Sequence, residues 1–184
     1  MELIIGLAAV ALIAIFFISQ YNRLITLNIT VDEAWAQIEV QLKRRADLIP
    51  NLVETVKGYA KHEQSTFDAV VTARAKATTA STVADTAAAD GMLTQALRGL
   101  LAVAEAYPDL KASTNFLSLQ EELATTENKV AFSRQFYNDN VRSLNTAVKT
   151  IPSSFFAGFA KVSEREFYEV EDPQDRIVPN GSFN

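Results

Sequence analysis

The chain has 184 residues, no cysteine, one histidine, six glycines, five prolines and a formal net charge of −5. That length suits one domain with an appendage. The acidic balance excludes a general nucleic-acid binder, which needs a basic face for phosphates. Missing cysteine removes disulfides, thiolate nucleophiles and cysteine zinc sites. Scarce glycine and proline beside abundant Ala, Leu, Val and Thr favour an all-α fold.

Residues 3–18, LIIGLAAVALIAIFFI, carry no polar side chain. Sixteen apolar residues fall slightly short of the roughly 20 that span a bilayer, so Met1 and the residues up to Tyr21 must help cover the thickness. A cleaved signal peptide needs a basic leader and a small-x-small cleavage site, and neither is present. The segment therefore reads as a retained membrane anchor, covering 1–22. Glu2 precedes the span, whereas Arg23 and then Lys43, Arg44 and Arg45 follow it. The positive-inside rule then puts the N-terminus outside and the remaining chain in the cytoplasm of a bacterial inner membrane.

Positions 31, 35, 38, 42, 45, 49, 52, 56 and 59 follow an unbroken 4-3 spacing and read Val, Trp, Ile, Leu, Arg, Ile, Leu, Val, Tyr. This narrow seam predicts a bundled helix, interrupted only by Arg45. Thr30, Asp32 and Glu33 are candidate cap and first-turn residues, although the membrane helix can also run straight on. Within LKRRADLIPNL, Pro50 removes the bond to the carbonyl of Ala46. Continuity of phase favours one kinked helix over a boundary with Asp47 as a cap. Arg45 then sits partly buried beside the kink, where its guanidinium meets the freed carbonyl or a facing helix.

Residues 72–91 are poor in large apolar side chains and read as a weak helix end, a loop, and a new helix beginning near Asp90. The next helix carries a stripe of Leu93, Leu97, Leu100, Leu101 and Ala104 and stops at Pro108. Gly99 in its interior suggests close approach of a neighbouring helix. A long helix follows over about 114–150. Its seam runs Phe116, Leu119, Leu123, Thr126, Val130, Ser133, Tyr137, Asn140, Leu144, Ala147 and Ile151. Thr126, Ser133 and Asn140 recur every seven residues, a device that fixes register. Phe155, Phe156 and Phe159 are expected to fold back as a short helix that caps the bundle, since three exposed phenylalanines would invite aggregation; a seat in the membrane interface is the alternative. The last residues, 171–184, read as a disordered tail.

The blocks VDEAWAQIEVQLKRRADLIPNLVETVKGYAKHE, LLAVAEAYPDLKAS, NFLSLQEELATTEN, SRQFYND, LNT, GFA and EFYEV closely resemble the LemA family over about 21–170. The resemblance implies a bacterial single-pass membrane protein with a helical-bundle domain and no established enzymatic activity. It offers no catalytic residues, and some relatives are associated with magnetosome membranes. The chain departs from the family pattern by lacking basic residues ahead of its anchor, which bears on topology.

Candidate chemistry is thin. A di-metal bundle needs two Glu-x-x-His motifs, and His62 is the only histidine. Glu121, Glu122 and Glu127 could pair as acid and base, but no nucleophile, metal set or phosphate loop accompanies them. Solvation on a helix surface is their ordinary use, and ion pairing to Lys43, Arg44 or Arg45 is the intermediate one. The expected fold is all-α: an N-terminal transmembrane helix, then an antiparallel up-and-down bundle of three to four long helices over 23–170. The expected role is a membrane-anchored scaffold without catalysis or cofactor that self-assembles or recruits partners. An accessory subunit of a membrane protease or signalling protein is the alternative. Trp35, Leu42, Arg45, Pro50, Thr126, Tyr137 and Asn140 are the assembly-seam candidates. Tyr21, Arg23, Phe155, Phe156 and Phe159 are the membrane-interface candidates.

Overall fold

The computed structural model describes residues 1–169, so the expected tail at 171–184 lies outside the described residues. Helix α1 runs from Glu2 to Lys57 without interruption. Nothing between the apolar run and the amphipathic seam carries a turn signal, and the single proline does not end the helix. Pro50 sits inside it, and Asp47 caps no second helix. The chain then turns through residues 58–63 into α2, Gln64–Thr79. Helix α3 spans Val83–Glu105, the single turn α4 spans Pro108–Lys111, α5 spans Thr114–Lys149, and α6 spans Ser154–Ala160. No strand occurs among the described residues. The fold is all-α, an apolar N-terminal helix followed by a helical bundle.

The region 72–91 departs from expectation, because it is helical except around residues 80–82. Thr82 explains where α3 begins. The Asp85 N–H donates to its hydroxyl oxygen at 3.0 Å, and that hydroxyl donates to Asp85 Oδ2 at 2.7 Å. This reciprocal cap satisfies a free helix-end donor and outweighs the low apolar content that follows. Gly99 is exposed, and no neighbouring atom lies within 4 Å of the place where its Cβ would stand. The close helix approach expected there does not occur. Tyr59 and Ile151, the expected ends of the two seams, lie past the helix ends and are exposed.

The chain divides into two compact units. One joins Met1–Ile38 to Ser133–Phe167. Its buried side chains include Leu24, Val31, Ala34 and Ile38 from α1, and Tyr137, Val141, Leu144 and Ala147 from α5. The other contains Glu39–Phe132 and Tyr168. Its core gathers Ile49, Leu52, Val53 and Val56 from α1, Phe67 and Val70 from α2, Leu93, Leu97 and Leu100 from α3, and Phe116 and Leu123 from α5. Within this unit Arg45 meets Glu127, and Thr55 accepts from Asn115. Ten residues forward along α1 thus correspond to twelve backward along α5, the register of an antiparallel pair.

Candidate functional site

The most deeply buried ion pair among the described residues lies in a polar layer of the second unit. Arg45 is only 2% exposed. Its Nη1 donates to Asp90 Oδ1 at 2.6 Å, and its Nη2 reaches Glu127 Oε2 at 2.6 Å and Thr94 Oγ1 at 2.9 Å. The Thr94 hydroxyl donates in turn to the Asp90 carbonyl at 3.0 Å. The Tyr168 hydroxyl donates to Asp90 Oδ2 at 3.1 Å, so both carboxylate oxygens are engaged. Asp90 is the deep partner, with 4% of its side chain exposed, whereas Glu127 at 42% reaches in from the rim. Arg45 Nε and Gln41 Oε1 are buried without a hydrogen-bond partner among the described residues. A planar guanidinium held by two carboxylates and a hydroxyl has a fork that fits few alternative alignments of the helices.

The proline defect is handled separately. The Ala46 carbonyl that Pro50 leaves without its helical donor accepts from Arg74 Nε of α2 at 2.8 Å. Arg45 therefore does not serve that carbonyl; a second arginine does. Leu42 is half-buried and Pro50 is exposed, while Thr126 is buried and donates its hydroxyl to the Glu122 carbonyl of its own helix at 2.8 Å.

In the first unit the Trp35 and Tyr137 rings pack at 5.5 Å between centroids. The Tyr137 hydroxyl donates to the Glu166 carbonyl at 2.9 Å. Burial pushes the Tyr137 phenol above its ordinary 10.0; the Arg165 guanidinium opposes this, and the Glu166 and Asp32 carboxylates reinforce it. The non-helical stretch after α6 is fastened on both backbone and side chain. The Asn145 amide donates to the Arg165 carbonyl, and the Arg165 N–H donates to Asn145 Oδ1, each at 2.9 Å. Arg165 pairs with Asp32, and Lys149 with Glu164. Asn140 is half-buried and returns its amide to the Phe136 carbonyl of its own helix.

The three phenylalanines of α6 part company. Phe156 is buried against Phe17 and Phe16, with ring centroids at 4.8 and 6.3 Å. Phe155 and Phe159 are 67% and 81% exposed, so they do not close a bundle end by burial. A seven-residue helix turns one face inward, and positions 155 and 159 share the opposite one. Tyr21 and Arg23, at the end of the apolar run, are exposed.

Sequence reasoning placed Arg45 but missed Asp90, Thr94, Arg74 and Tyr168. The signal for Asp90 was present. Thr86, Asp90, Leu93, Leu97, Leu100 and Ala104 keep a 4-3 spacing, and all six are buried. Extending the α3 stripe backwards by one position, three residues before Leu93, reaches the carboxylate. His62 is exposed in the turn between α1 and α2. No group of three or more His, Cys, Asp or Glu residues placed to hold a metal occurs among the described residues.

The chain is 23% identical over 205 aligned positions to magnetosome protein MamQ of Magnetospirillum gryphiswaldense, covering 96% of this chain and 75% of that one. It is 22% identical over 198 positions to two further MamQ proteins of Paramagnetospirillum magneticum, covering 94% of this chain and 72% of each. The α1 window that is apolar enough to cross a membrane has none of its surface buried. Together with these relatives it makes the chain membrane-associated. The family model of the LemA family matches residues 34–183, from the α1 seam through the polar layer and α6, and the chain belongs to that family.

Proposed function

We propose that the protein is a membrane-anchored helical scaffold that acts by assembling with copies of itself or with a protein partner, not by catalysis. One observation carries this reading: the most deeply buried set of charges among the described residues is committed to structure. Arg45, Asp90, Glu127, Thr94 and Tyr168 bond one another, and Asp90 is enclosed. A general acid or base must reach substrate, so a carboxylate held on both oxygens inside a helix bundle suits register better than proton transfer.

The assembly reading refines the roles of the seam residues. Arg45, Thr126 and Tyr137 are buried within one chain, so they act by fixing the register that shapes the outer surface. Trp35, Leu42 and Asn140 are half-buried and Pro50 is exposed, leaving surface for a neighbour. Arg23 and then Lys43, Arg44 and Arg45, all after the span, favour an outside N-terminus and a cytoplasmic bundle. Because the chain has no cysteine, single introduced cysteines report both properties. Glu2→Cys should react with a membrane-impermeant thiol reagent on intact cells, and Val71→Cys only after lysis. Chemical crosslinking in native membranes should give multiples of one chain mass. A stoichiometric foreign partner would instead support an accessory subunit, and a strictly monomeric species with no partner would refute the scaffold.

A further inference from the structure

We infer that α6 is a second membrane contact, seated in the boundary between acyl chains and headgroups beside the end of the span. The inference rests on the reading that residues 3–18 cross a membrane. Sixteen helical residues at about 1.5 Å each cover about 24 Å, short of the roughly 30 Å of a typical hydrocarbon core. A short span needs help from flanking elements. Phe156 of α6 packs its ring edge-on to Phe17 at 4.8 Å and beside Phe16 at 6.3 Å. Those two residues belong to the last turn of the apolar run. One turn further on, Ser153 donates to Gln20 Oε1 at 3.0 Å, a polar pin just past the apolar end.

Whatever covers Phe16 and Phe17 therefore also meets α6. At that level the chain exposes Ile151 at 75%, Phe155 at 67% and Phe159 at 81%. In water this would be a concentrated apolar surface on a short element; against lipid it continues the established apolar surface of α1. The polar edge fits the same placement. Lys161 closes α6 in a left-handed conformation with its side chain exposed, and Tyr21 and Arg23 stand just past the apolar run on α1. Aromatic rings with basic residues are what an interface between acyl chains and phosphates accommodates. The occupant is phospholipid, and the anchor is a helix with a wedge beside it.

The test uses full-length protein in vesicles of phosphatidylethanolamine and phosphatidylglycerol, with one nitroxide label on an introduced cysteine. Phe155→Cys and Phe159→Cys probe the wedge, Val10→Cys the span, and Val71→Cys an exposed site on α2. All replace exposed side chains, and retained helical circular dichroism confirms folding. At 155 and 159, collisions with a water-soluble nickel chelate should fall several-fold below those at 71, while collisions with dissolved oxygen stay high. Nickel access equal to that at 71 would overturn the inference. Low access to both reagents would also overturn it, because that marks cover by protein, such as a second copy. A lipid signature at Val10 with an aqueous one at Phe159 would leave the anchor standing and remove only the wedge.

Discussion

Replacing Arg45 by methionine keeps length and apolar packing but deletes the only cation bonded to the Asp90 carboxylate among the described residues. Asp90 would remain enclosed with the Tyr168 hydroxyl as a bonding partner, and Thr94 would lose its guanidinium donor. Removing one member of a buried ion pair costs roughly 3–5 kcal/mol, since the other charge stays desolvated. Against a total stability of about 5–15 kcal/mol that is a large fraction. In urea unfolding of the micelle-bound chain, at about 2 kcal/mol per molar, the midpoint should fall by about 1.5–2.5 M. Helical circular dichroism before urea should change little, because helix propensity at position 45 is almost unaltered. Glu127→Gln should cost no more than about 1 kcal/mol, as its carboxylate is 42% exposed and solvated. The combined variant Arg45→Met, Asp90→Leu, Tyr168→Phe removes donor, acceptor and hydroxyl together and should recover most of the loss. A drop under about 1 kcal/mol for Arg45→Met, or a combined variant worse than the single one, would refute the register-lock reasoning.

Arg74→Met should lose about 1–3 kcal/mol by orphaning the Ala46 carbonyl, and that loss should shrink in a Pro50→Ala background, where the helix regains its own donor; a double-mutant cycle reads the coupling. Gly99→Ala should stabilise α3 by about 0.5–1 kcal/mol, since the site is open and helical, which thermal unfolding checks. Thr82→Ala should cost about 1 kcal/mol and fray the first turn of α3, visible as faster amide exchange there. The folded Tyr137 phenol ionises above its unfolded 10.0, so its contribution is fully present below that pH and is lost as pH rises through the higher folded value. Tyrosinate absorbance should show a late-titrating phenol that disappears in Tyr137→Phe.

How far residues alone reveal this molecule depends on the interaction. Seams with 4-3 spacing identified α1 and α5, because burial of a helix stripe repeats every turn and survives even a proline. Arg45 stood out because a charge broke that repeat. Glu127 was among the carboxylates open to pairing with it, and it does pair; Asp90 and Thr94 did not stand out. The region around Asp90 looked weak through its small side chains, and the Thr82 cap that starts α3 acts through two hydrogen bonds that no hydropathy pattern records. Tyr168 reaches Asp90 across 78 positions, and Arg74 reaches Ala46 across 28. Such pairings depend on tertiary alignment and carry no local spacing. Phe155, Phe156 and Phe159 were recognised as a group, but only the geometry separates one buried ring from two exposed ones. Gly99 misled, because an exposed glycine and one enclosed by a neighbour look alike in sequence.

The scaffold reading is tested most directly by the mass of the particle that carries the full-length chain out of its own membrane in a lipid nanodisc. Mass photometry should find several chains per particle, or a fixed ratio of this chain to one partner. Particles holding a single chain and lipid alone, at concentrations matching those in the membrane, would contradict it.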